Sequence, residues 1–165
     1  MHISNHGIET LKQIEGMVIR DRKHVIYDDK TGQPVPHRVP LPSGATIGYG
    51  HLIKSGESFT HGITEDAATE ILRADVAWAE NVVSAKITVP LAQNQFDALV
   101  IFAFNIGEKN FARSTVVKYI NNPDFISTQY PTLDAAWRAW NKSGGRVVRG
   151  LARRREMELK LFHDI

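Results

Sequence analysis

The stretch from Leu91 to Ile106 constrains the fold more than any other part of the chain. It follows Pro90 and sets Phe96, Leu99, Val100, Phe102, Ala103 and Phe104 around most of the circumference of a helix. A helix that is apolar on nearly all sides has no face to give to water. It is therefore expected to be the buried centre of a helical domain. Its longest apolar run, Ala98 to Phe104, opens after Asp97 and falls far short of the roughly 20 residues a membrane helix requires. No stable membrane insertion is expected.

Other helices are predicted around it. Ile8, Leu11 and Ile14 mark one face of a first helix from about Ser4 to Ile14, stopped by Gly16. Glu15 then sits at a helix C-terminus, where the dipole disfavours negative charge and is expected to raise its pKa. Thr64 can cap a helix with Glu65 and Asp66 in its first turn, followed by the stripe Ala68, Ile71, Leu72, Val76 and Ala79. Shorter helices are predicted near Ser114–Asn121, Thr132–Asn141 and Leu151–Phe162, with Gly144-Gly145 between the last two.

Residues 24–53 read differently. His24-Val25-Ile26-Tyr27 is β-prone, and Asp28-Asp29-Lys30-Thr31-Gly32 is a turn. Pro34, Pro36, Pro40, Pro42 and Gly44 exclude a helix, and Ala45 to His51 resumes as a Gly-rich strand. The expectation is a single α+β domain over 1–165. A small β-containing lobe (about 16–60) lies beside a larger helical lobe (about 64–165 plus the N-terminal helix), with a long hairpin tip between Gly32 and Gly44.

At 165 residues, 42% hydrophobic and 23% charged, the chain can bury a core without staples. It has no cysteine, which excludes disulfides and thiolate metal sites. Its seven histidines show no His-Glu-x-x-His spacing, so no metal and no cofactor are expected. The N-terminus carries His2, Asn5, His6, Glu9 and Lys12, which leaves no apolar leader region. The product is expected to fold in the cytoplasm of the cell that makes it.

The net charge is only +2, but Arg138, Lys142, Arg146, Arg149, Arg153, Arg154, Arg155 and Lys160 crowd the C-terminal part. Such a segment seeks polyanions: nucleic acid, anionic lipid or acidic wall polymers. Nothing resembles a recognition helix or an aromatic RNA platform, so nucleic acid is not the expected partner. Arg153-Arg154-Arg155 reads as a solvated helix face, from which one arginine could support Glu15.

Three polar residues stand out by neighbourhood. Glu15 precedes Gly16, Asp29 lies in a turn two positions after Tyr27, and Thr46 opens Thr46-Ile47-Gly48-Tyr49-Gly50-His51. Glycoside hydrolysis needs an acid for the leaving oxygen and a group on the opposite face that activates water or stabilises positive charge. From residue type alone the plainer roles stay open: Glu15 as a solvated helix end, Asp29 as a turn former, Thr46 as a strand residue.

The ordered set Glu15-Gly16, Tyr27-Asp28-Asp29 and Thr46 to His51 resembles the signature of the phage-type lysozymes. The resemblance continues through Leu72-Arg73-Ala74-Asp75-Val76, Gln93 to Val100, Phe102 to Gly107, Phe111 with Ser114-Thr115, Trp140, Gly144-Gly145, Gly150-Leu151 and Arg153 to Glu156. It implies a lysozyme-like fold and an endolysin that hydrolyses the β-1,4 bond between N-acetylmuramic acid and N-acetylglucosamine in peptidoglycan. It maps the family's acid to Glu15, its second carboxylate to Asp29 and its threonine to Thr46. Asp28 is the adjacent rival, and the family spacing favours Asp29. The Gly32–Gly44 segment departs from the family by its length.

The implied mechanism inverts the anomeric carbon, with Glu15 as acid and a water held by Asp29 and Thr46. His51, Leu52, Phe104, Asn105 and Ser114 are substrate-binding candidates. Against that stand plainer roles: His51 as a hydrogen-bonding prop, Phe104 as core and Asn105 as a helix-end cap. The rival activity is a lytic transglycosylase using Glu15 alone. From another class, the rival is a basic wall- or nucleic-acid-binding module. A monomer is expected, released to the periplasmic wall through a holin-type pore made by another protein.

Overall fold

The computed structural model describes residues 1–35 and 41–164. In chain order it contains helix α1 (Asn5–Glu15), strands β1 (Ile19–Arg20), β2 (Lys23–His24), β3 (Tyr27–Asp28), β4 (Ala45–Ile47) and β5 (His51–Leu52), and helix α2 (Glu65–Lys86). Helices α3 (Gln93–Ile106), α4 (Glu108–Arg113), α5 (Thr115–Asn121) and α6 (Leu133–Arg138) follow. The hairpin β6 (Lys142–Ser143) and β7 (Arg146–Val147) then leads into α7 (Arg149–His163). The mixture is the α+β class expected from the sequence. Part of the expected hairpin tip between Gly32 and Gly44 falls on residues 36–40, outside the described ones.

The chain divides into two compact units, Ile8–Asp75 and Met1–Gly7 with Val76–Ile165. In the first, β3, β4 and β5 form an antiparallel sheet in that order, with Tyr27 opposite Thr46 and Thr46 opposite Leu52. Ile26, Ala45 and Ile47 are its buried core, with Val35, Leu41, Ile53, Phe59 and Ile63 packed against them. Ile8 and Leu11, two of the residues whose spacing predicted α1, are buried as well.

Polar contacts fix α1 within this unit. Glu65, in the first turn of α2, accepts from Tyr49 Oη (2.6 Å) and Lys12 Nζ (3.0 Å), and lies 2.7 Å from His24 Nε2. Burial opposes its charge, but these three partners prevail and hold its carboxyl down at about 2.

In the second unit α3 is the centre. Every residue from Phe96 to Ala103 is buried, and α7 packs along it. Each fully buried Leu, Val, Ile or Phe there contributes about 1.5–3 kcal/mol. Asp97, the one acid in that run, is satisfied: it accepts from the Ser4 backbone N–H at 2.9 Å and from Gln93 Nε2 at 2.8 Å.

Phe102 meets Trp137 at 4.6 Å between ring centroids. At the same centre Glu158, wholly buried, accepts from Trp137 Nε1 (2.8 Å), Arg154 Nε (3.0 Å) and Arg155 Nη2 (2.9 Å). The sequence expectation of a solvated arginine face is corrected here. Only Arg153 of the three is exposed, because the acceptor four and three residues on draws Arg154 and Arg155 inward. Burial lowers the Arg155 guanidinium to about 10 and pushes Glu158 up, against the opposing charges of the two arginines.

Candidate active site

Glu15 is the last residue of α1 and is half-buried. Gly16 follows with φ 72°, a left-handed conformation that ends the helix and that a β-carbon would disfavour. Its N–H still reaches Lys12 O at 3.3 Å.

The two neighbouring aspartates have different surroundings. Asp28 Oδ1 accepts from the backbone N–H of Lys30 and of Thr31, both at 2.9 Å. Those bonds fix the turn, and with Thr31 foremost they hold its carboxyl below the usual range. Asp29 is exposed, and its carboxylate makes no hydrogen bond or ion pair among the described residues. Its own N–H donates to Gly44 O at 3.2 Å, which carries the β3–β4 ladder one step further.

Side chains alternate along a strand, so Tyr27 and Asp29 share a face, and Thr46, directly opposite Tyr27, shares it too. Thr46 is buried and donates to Tyr27 O at 3.2 Å. Burial raises the Tyr27 phenol above its ordinary range. The charges of Asp29 and Glu15 add to the rise, while hydrogen bonds with the Thr46 side chain and the Gly50 backbone oppose it.

Leu52 stands opposite Thr46 on β5 and is 55% exposed, an apolar surface beside the same face. His51 points the other way, opposite Ile47. Its ring is buried with both nitrogens engaged: Nδ1 lies 2.8 Å from Asp75 and Nε2 3.0 Å from Glu57. That leaves no ring nitrogen for a sugar and gives His51 the propping role. Burial opposes the charged ring, yet Glu57 and Asp75 outweigh it and raise His51 above its ordinary value.

In the second unit Phe104 is half-buried against Trp78, at 6.1 Å between centroids. Asn105 is exposed, and its Oδ1 accepts from Arg155 at 2.6 Å. Ser114 is buried, and its Oγ accepts from Val117 N at 3.2 Å. It is the N-cap of α5, which occupies the hydroxyl oxygen locally.

A stability prediction follows from His51. Asp75→Asn is expected to lower Tm by about 4–8 °C at pH 6, the loss of one hydrogen bond to a buried charge. A raised histidine pKa adds stability below the unfolded value near 6.5 and loses it as pH rises through the folded value. The gap between wild type and variant should therefore narrow at pH 9. A gap unchanged from pH 6 to pH 9 would show that charge has no part in it.

Residues 23–158 match the family described as Phage lysozyme. The endolysin of Bacillus phage PZA is 36% identical over 166 residues, covering 99% of this chain and 56% of the relative. The chain thus spans little more than half of that relative's length. The endolysin of Salmonella phage P22 is 37% identical over 147 residues, covering 87% of this chain and 86% of the relative. Among solved structures, the muramidase domain of SpmX from Asticaccaulis excentricus superposes with a TM-score of 0.73 at 32% identity, covering 100% of both chains. The chain belongs to the phage lysozyme family.

Proposed function

We propose that this protein is an endolysin: an N-acetylmuramidase that hydrolyses the β-1,4 bond between N-acetylmuramic acid and N-acetylglucosamine in bacterial peptidoglycan. The observation that carries the reading is the placement of Tyr27, Asp29 and Thr46 on one face of the β3–β4 pair, with Glu15 at the end of α1 in the same compact unit. An acid at a helix end and a second carboxylate on a sheet are the two groups that glycoside hydrolysis requires.

Glu15, protonated, donates to the bridging oxygen as the glycosidic bond breaks. Asp29 accepts a proton from a water positioned with the help of Thr46. That water attacks the anomeric carbon from the opposite face and inverts it. Asp28 takes no part, because its carboxylate is committed to the turn. The enzyme works on the wall side of the cytoplasmic membrane, as a monomer released through a pore made by another protein. Among the described residues no helix is long and apolar enough to cross a membrane itself.

The two aspartates give the test. Asp29→Asn should reduce lysis of chloroform-treated Gram-negative cells by about two orders of magnitude, the scale of a lost general base. Asp28→Asn should keep catalysis and lose only some stability, as the turn weakens. If Asp28→Asn is the inactive variant and Asp29→Asn is active, the assignment of the base is wrong.

A further inference from the structure

Helix α1 loses its apolar grip one turn before its functional end. Leu11 is its last buried residue; beyond it Gln13 is exposed and Ile14 only half-buried. Gly16, in left-handed backbone, stops the helix directly after Glu15, so no further turn stiffens that end. Apolar packing alone therefore anchors the last turn, and the Glu15 carboxyl with it, weakly.

A polar lock takes over at this point. Lys12 stands one turn before Glu15, and its carbonyl oxygen accepts from Gly16 N–H at 3.3 Å. Its side chain is only 11% exposed, and Nζ lies 2.8 Å from Glu9 Oε1 and 3.0 Å from Glu65 Oε1. The ammonium also sits 5.6 Å from the centre of the Tyr49 ring, within cation–π range. Burial opposes its charge, yet the two glutamates outweigh burial and raise the ammonium above its ordinary value.

The two glutamates do different things. Glu9 is on α1 itself, so it cannot fix the helix against anything else. Glu65 is on α2 and also accepts from the buried Tyr49 phenol, while its other oxygen lies against the buried His24 ring. Tyr49 sits in the turn between β4, which bears Thr46, and β5, and His24 ends β2. The Tyr49 and His24 rings meet edge to face at 5.0 Å between centroids. Through Glu65, then, the helix that carries the acid is bound to the strands that carry the rest of the site. Every one of these residues lies within the Ile8–Asp75 unit.

We propose that Lys12 and Glu65 form a positioning pair, which holds the Glu15 carboxyl at its working distance from the sheet that bears Asp29 and Thr46. The proposal rests on the reading of Glu15 as the acid and names what aims it. The pair touches no substrate. Its effect is on geometry, and a displacement of about 1 Å in a catalytic group is enough to cost up to about a hundredfold in rate. Because the Glu65 carboxyl stays charged down to about pH 2, the lock persists through neutral and mildly acid solution.

The test uses the full chain with Glu65→Gln, Lys12→Met, the double variant and Lys12→Arg, each assayed well below its own Tm. Each of the first two should lower kcat on peptidoglycan about tenfold with KM within about twofold, a partial misplacement of the acid. The double variant should be no slower than either single one, as for two residues that act as a unit. Lys12→Arg keeps the ion pair and should recover most of the lost kcat. The alkaline limb of the kcat profile, which reports the acid in the bound enzyme, should move in Glu65→Gln and Lys12→Met. Hydrogen exchange at the Gly16 amide should quicken about tenfold in both, with the Leu11 amide unchanged, because only the last turn is released.

Unchanged kcat in the folded single variants, or losses that multiply to about a hundredfold in the double, would overturn the proposal. So would a lowered Tm with the alkaline limb and the Gly16 exchange rate unmoved, the signature of a merely structural contact. If Glu65→Gln fails to fold, Lys12→Met and its arginine counterpart carry the same comparison. If Glu15→Gln lyses cells normally, it is the reading of Glu15 that fails, and the exchange rate at Gly16 still decides whether the pair holds the last turn.

Discussion

Glu15→Gln is expected to leave a folded protein whose lysis of peptidoglycan is reduced by at least about two orders of magnitude. Glutamine has the same shape and hydrogen-bonding reach but no proton to give to the leaving oxygen. The helix has other anchors besides that charge. It is ended by Gly16, and α1 is held by buried Ile8 and Leu11 and by the contact of Lys12 with Glu65. A glutamate at a helix C-terminus opposes the helix dipole, so its removal should not lower Tm. Turbidity loss measured beside a thermal melt separates the two effects. Near-normal lysis by the folded variant would remove Glu15 from the chemistry.

The largest expected loss of stability lies in the other unit. Glu158→Ala removes the carboxylate that accepts from the buried side chains of Arg154 and Arg155. It also strips Trp137 Nε1 of its acceptor. Breaking a buried pair in this way leaves uncompensated charge and costs about 3–5 kcal/mol. For a chain of this size that corresponds to a Tm lower by about 10–15 °C. Arg155 keeps Asn105 as a partner at 2.6 Å, so part of the cluster should persist. Circular dichroism melts of the purified variant decide it, and a shift under about 3 °C would mean the cluster contributes little.

The helices were legible in the sequence because their signals are local. Phe96 to Ala103 shows an all-round apolar pattern, and Thr64 precedes two acids at the start of α2. The candidate site was legible for a different reason: Glu15, Asp29 and Thr46 lie in short strings whose order and spacing are specific.

What escaped sequence reading depends on partners far along the chain or on strands too short to show a period. The hairpin β1–β2 has two residues per strand, with Arg20 and Lys23 facing each other, so no apolar alternation announces it. The hairpin β6–β7 is exposed throughout and equally silent. Helix α4, six residues long, hides between stronger elements. Arg154 and Glu158 are four apart, the spacing of a solvated helix pair, and only the packing of α7 on α3 makes the pair a buried one. His51 finds Asp75 24 positions away, a contact no local pattern encodes. Ser114 was readable as a helix cap from its place just before Thr115, and that is where its hydroxyl is engaged.

The central claim is an inverting hydrolysis by Glu15 and Asp29 with Thr46, and the anomer of the first product tests it most directly. A peptidoglycan fragment is mixed with enzyme in an NMR tube, and the new reducing-end N-acetylmuramic acid is followed before mutarotation. An inverting attack on a β-linked glycan gives the α-anomer first. The β-anomer, from a retaining mechanism, or a 1,6-anhydro product without a reducing end, from transglycosylation, would contradict the account.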